Sequence, residues 1–122
     1  MKKLVLVALI ASLLTPASAQ AAETKFTGAP LTNVDSQGAT INIMLLGVPA
    51  KGGLYIQQCV EAAAGARPAI CNEVVQLWIS NSRGASFVPT DVIKFKPTGS
   101  FTTKTTTVDC TVSKCGIFMR FD

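Results

Sequence analysis

Histidine is absent from the chain, and tryptophan and tyrosine occur once each. Without an imidazole there is no Ser-His-Asp arrangement, no histidine proton shuttle and no histidine metal ligand. The seven carboxylates are dispersed along the sequence, and no two stand at a spacing that fixes an acid–base dyad. Gly52-Gly53 is too short a glycine stretch to cradle a phosphate. We therefore expect neither an enzyme nor a cofactor. Helix signals are equally scarce. Ala62-Ala63-Ala64 is the best local helix former, but Gly65 and Pro68 interrupt it at once. Only one long apolar run exists, residues 4–14, and it falls short of the ~20 residues that span a bilayer.

That run follows Lys2 and Lys3 and precedes two small-x-small sites, Ala17-Ser18-Ala19 and Ala19-Gln20-Ala21. The pattern predicts an export signal peptide over residues 1–21, with the mature domain at 22–122. We expect a secreted, soluble domain with no membrane span once the signal is removed. The formal charge of +4, from 11 basic and seven acidic residues, falls to +2 when Lys2 and Lys3 leave. The remaining basic residues are scattered, with no stripe interleaved with stacking aromatics, so nucleic-acid binding is not expected.

Four cysteines behind an export signal imply oxidation. Three pairings exist. Loop closure favours sequence neighbours, Cys59–Cys71 and Cys110–Cys115, whose loops of 13 and 6 residues are worth about 3 and 2 kcal/mol in the chain-entropy model. A zinc site is the rival, but the C-x11-C and C-x4-C spacings are not finger-like. Along the mature chain the signal is mostly β, with residues 60–70 reading as a loop. Residues 25–28, 40–46, 54–59, 74–79, 85–96, 102–109 and 116–121 read as strands, with turn residues between them. Period-two alternation places Tyr55, Gln57 and Cys59 on one face of their strand and Leu54, Ile56 and Gln58 on the other. Proline at position 89 interrupts the 85–96 segment. Phe87, Phe95, Phe118 and Phe121 alternate with other residues and read as core. The fold class is all-β, an antiparallel sandwich of about seven strands with two local disulfides.

Five segments carry a more specific signal: Asp35-Ser-Gln-Gly-Ala-Thr-Ile-Asn-Ile, Gly53-Leu-Tyr-Ile-Gln-Gln-Cys59, Cys71-Asn72, Gly84-Ala-Ser-Phe and Val108-Asp-Cys110-Thr-Val-Ser-Lys-Cys115. In this order and spacing the chain resembles the neocarzinostatin family, secreted apoproteins of actinobacterial enediyne chromoproteins. The resemblance implies an immunoglobulin-like sandwich and a cleft that shields an apolar aromatic small molecule, with the Cys59–Cys71 bridge in its floor. The family carries an aromatic two residues after the first cysteine, where this chain has Glu61. Another lies five residues after the second, where it has Gln76, with Trp78 two further on. A third falls close to Ser100 and Phe101. The expected cleft is therefore Tyr55, Cys59, Cys71, Gln76, Trp78 and Phe101. Trp78 reads either as an anchor between sheets or as a cleft wall, and Phe101 as cleft or core. Family members continue past the second bridge into a closing strand, which this sequence does not show. Either the last strand keeps a free edge, open to self-association, or the N-terminal segment or another chain covers it.

Overall fold

The computed structural model describes residues 23–35 and 37–122; the signal-peptide expectation lies outside them. Among the described residues there is no helix, and eight strands form antiparallel sheets: β1 (Lys25–Thr27), β2 (Ile41–Leu46), β3 (Gly53–Val60), β4 (Cys71–Ser80), β5 (Ile93–Phe95), β6 (Ser100–Thr102), β7 (Thr107–Asp109) and β8 (Cys115–Phe121). Two three-stranded sheets, ordered β1-β2-β5 and β4-β3-β8, face each other, and β6-β7 is a separate hairpin. The result is an antiparallel β-sandwich.

Alternation builds its core. Ile41 and Ile43 of β2 point inward while Asn42 and Met44 point out. Leu54 and Ile56 of β3 answer them from the opposite sheet, joined by Ile79, Ile93, Phe95 and Ile117. Burying such a side chain stabilises by about 1.5–3 kcal/mol relative to exposure. Phe87 packs against this cluster. Phe118 and Phe121 do not join it. The cross-strand pairs Gln58–Ile117 and Ile56–Met119 turn Ile117 and Met119 inward, so Phe118 lies on the outer face and Phe121 at the strand end is 53% exposed.

Both disulfides form as expected, Cys59–Cys71 and Cys110–Cys115, and no cysteine is free. They suit an oxidising, extracellular compartment. Cys59 and Cys71 are direct cross-strand partners, so the bridge staples the point where β3 leaves for the 61–70 loop and β4 returns.

Two strand expectations need correction. Of residues 85–96, only Ile93–Phe95 form a ladder. Phe87 makes one isolated bridge to Ile79, and then a turn intervenes. There the Val88 N–H donates to the Asp91 carboxylate and the Asp91 N–H to the Val88 carbonyl. Residues 102–109 are not one strand but the end of a hairpin. The Thr103 hydroxyl accepts from the N–H groups of Thr105 and Thr106, which folds the chain back without glycine or proline.

The outer side of β8 is partly covered. The Ile117 N–H donates to the Leu31 carbonyl and the Val34 N–H to the Cys115 carbonyl, so residues 31–34 lie along the outer edge of β8. Glu61 fastens that segment: its carboxylate accepts the Asn33 N–H at 3.0 Å, and its own N–H donates to the Lys114 carbonyl.

Candidate functional site

The outer face of the β4-β3-β8 sheet carries the alternating set Tyr55, Gln57 and Cys59. Register places Trp78 and Arg120 on either side of Tyr55, Phe118 beside Gln57, and Cys71 beside Cys59. β4 interrupts this regular arrangement. Between the Ile56–Leu77 and Gln58–Asn72 pairs, β3 advances by Gln57 alone while β4 runs through residues 73–76. The excursion throws Val74 into solvent at 88% exposure and carries Gln76 back over Gln57, whose Nε2 donates to Gln76 Oε1 at 2.6 Å.

A groove of about 430 Å³ opens above this face. Its floor includes Gln57, Cys71 and Gln76, one wall is the 67–70 part of the disulfide loop, and the other is the β6–β7 turn at 103–105. A recess of about 70 Å³ shares Gln57, Arg67, Cys71 and Arg120 with it and adds Cys59, Phe118 and Met119. Arg120 sits over the Tyr55 ring, 4.9 Å from its centroid, a cation–π contact that holds the guanidinium at the sheet surface.

Five of the six residues expected in a cleft share this face. Cys59, Cys71 and Gln76 line the groove or its recess, and Tyr55 supports it from beneath Arg120. Trp78 neither anchors the core between sheets nor lines the groove. Its neighbours Leu54 and Ile79 point inward as a buried pair, so the indole lies outside, over Gly53; a Cβ added at Gly53 would stand 2.5 Å from the indole nitrogen. That nitrogen is buried without a hydrogen-bond partner. Phe101 is elsewhere. It is buried with Val108, Cys110 and Cys115, against Val60, in a second small core. The hairpin position that turns it inward gives it a packing role on the Cys110–Cys115 bridge.

Two residues whose task the sequence reading does not give are Gln58, which alternation places on the inward face, and Asn72, the motif amide after the second cysteine. They are 0% and 2% exposed and bond to one another. Gln58 Oε1 accepts from Asn72 Nδ2 at 3.1 Å and from the Thr98 N–H at 3.1 Å, and Gln58 Nε2 donates to the Thr98 backbone carbonyl at 2.6 Å and to Cys110 Sγ at 3.4 Å. Asn72 Nδ2 also reaches Thr98 Oγ1, and its Oδ1 accepts the Val74 N–H. Each buried amide therefore has its partners, and the network moors the 97–100 turn, hence the hairpin that walls the groove.

A larger groove, about 720 Å³, is lined by Val75, Lys96, the 97–100 turn, Asp109 and Thr111 among others. No aromatic lines it. The Asp109 carboxyl is held below the usual carboxylate range by hydrogen bonds from the Thr111 hydroxyl and then the Thr111 N–H, so its charge already serves the turn. Among the described residues no group of histidine, cysteine or carboxylate side chains could hold a metal ion, and no helix is long and apolar enough to cross a membrane. No family model, curated protein or solved structure matches the chain.

Proposed function

We propose that the chain is an exported, non-enzymatic binding protein that holds a small aromatic molecule against the outer face of the β4-β3-β8 sheet, in the manner of the neocarzinostatin family. The observation that carries this reading is the Cys59–Cys71 bridge at the base of an open groove, where the resemblance puts a cleft floor. Two further features support it. The groove is walled by segments that are themselves moored, one by the disulfide and the other by the Gln58–Asn72–Thr98 network. Its recess offers a flat ring, Phe118, beside a disulfide, surfaces that suit an aromatic ligand. Trp78 stands next to Tyr55 on the same face and serves as the reporter. Titration with a panel of aromatic molecules should give saturable quenching or a shift of Trp78 emission with at least one member. A panel of which no member binds, by emission or by equilibrium dialysis, overturns the reading.

A second reading is favoured by one observation. Residues 31–34 cover β8 only as far as Ile117, and beyond it Met119 and the exposed Phe121 lie on the sheet edge. In this reading the domain is a surface interaction module that pairs with a second copy along that edge. Sedimentation over a wide concentration range tests it: association should appear on concentration, and a monomer throughout removes it.

A further inference from the structure

The groove is not electrically neutral. Arg67 enters it from the disulfide loop, Lys104 from the β6–β7 turn and Arg120 from β8, against a single carboxylate, Glu73. Three cations from three separate elements face one space, which differs from charges alternating along a solvated strand. None of the three is paired with a carboxylate among the described residues. Arg120 is steadied by the Tyr55 ring, a contact through the face of the guanidinium charge that leaves its N–H donors for another partner. The adjoining recess has the opposite character, with the Phe118 ring and the Cys59–Cys71 bridge. A ligand that satisfies both halves is flat and apolar at one end and anionic at the other.

We propose that the groove selects aromatic acids: a planar ring system seated on Phe118 and the disulfide, with a carboxylate, sulfonate or phosphate monoester directed to Arg67 and Arg120. This rests on the reading of the groove as a ligand site and adds the charge of the ligand to it. An anion in that position gains charge-assisted hydrogen bonds. A neutral ring of the same size gains only the apolar contact and leaves the cations as they were.

Two fluorescent probes with the same ring framework separate these cases: 1-anilinonaphthalene-8-sulfonate, which is anionic, and N-phenyl-1-naphthylamine, which is neutral. Both are titrated into the oxidised protein and its variants, with thermal unfolding of each variant as a check on folding. The sulfonate should bind about tenfold tighter or better, and added salt should erode that advantage. R120Q should weaken the sulfonate several-fold and the neutral probe far less, so that the preference for the sulfonate shrinks. Arg67→Gln, on the exposed loop, should do the same without touching the sheet. Lys96→Gln, in the larger groove, should alter neither. Equal affinity for the two probes overturns the selection for acids while the groove remains a ligand site. Binding of neither overturns both readings. A loss of sulfonate affinity in the Lys96 variant, with none in the arginine variants, places the anion in the other groove and also overturns the proposal.

Discussion

Replacing Gln58 by methionine keeps the length and volume of the side chain and removes both of its polar ends. The Thr98 N–H and carbonyl then lose their partners, and Asn72 keeps only Thr98 Oγ1 for its amide. Stranding a buried polar group costs about 1–3 kcal/mol. Thr98 is only partly buried, so water relieves a share of that, and the apolar side chain recovers a little by burial. The expected net loss is about 2–4 kcal/mol, which in a domain near 100 residues lowers Tm by roughly 10–25 °C. Urea unfolding followed through Trp78 should show a lower midpoint with an unchanged slope. Gln58→Glu sharpens the test. At neutral pH its carboxylate would meet the Thr98 carbonyl where an N–H donor stands now, so it should be less stable than the methionine variant. Burial among acceptors raises the folded pKa of that new carboxyl, so its penalty is present at neutral pH and lifts as pH falls through that raised value. A cycle with Asn72→Ala should give a coupling of about 1 kcal/mol. A methionine variant within about 0.5 kcal/mol of the parent would refute the view that this network holds the turn.

Three further outcomes follow from the geometry. Gly53→Ala sets a methyl 2.5 Å from the Trp78 indole nitrogen and 3.0 Å from the Ile79 carbonyl; it should lose about 1–3 kcal/mol and shift Trp78 emission. Opening the Cys59–Cys71 loop by a double serine variant should cost about 3 kcal/mol and opening Cys110–Cys115 about 2, readable by calorimetry, with the second also loosening Phe101. The depressed pKa of Asp109 stabilises the fold above the unfolded-state value and is lost as pH falls through the folded one; Asp109→Asn should therefore flatten the acid side of a Tm profile taken between about pH 5 and pH 2, and an unchanged profile would count against the Thr111 contacts as its cause.

Much of this fold was legible because alternation is a short-range signal. The inward set of Leu54, Ile56 and Gln58 and the outward set of Tyr55, Gln57 and Cys59 need only a period of two. The disulfides were legible from loop lengths. The hairpin at 100–109 was hidden because its turn is built from threonine hydroxyls, in a Thr-rich stretch whose propensity also fits a strand. The excursion at 73–76 was hidden because Val74 and Val75 are strong strand formers whose exposure depends on what β3 offers opposite them. The partner of Gln58 lies 40 residues away at Thr98, a distance over which no local pattern speaks. The groove was legible as far as the cysteines and Gln76. Arg67, Lys104 and Arg120 looked like scattered surface charge because their common space exists only after three elements are brought together. Phe101 could be read two ways until the second small core claimed it.

The 61–70 loop is closed twice at its base, by the Cys59–Cys71 bridge and by the Val60 N–H to the Ile70 carbonyl. Such a closure isolates what happens inside the loop from what happens in the sheet. Changing its length alters closure entropy only logarithmically, about 0.6 kcal/mol per doubling, and its side chains contribute no member of the main core. The same scaffold can therefore carry different loop sequences, each presenting a new wall to the groove, while the sandwich keeps its register. Libraries randomised within this noose, with Gln58 and Asn72 left untouched, would evolve recognition without renegotiating the fold.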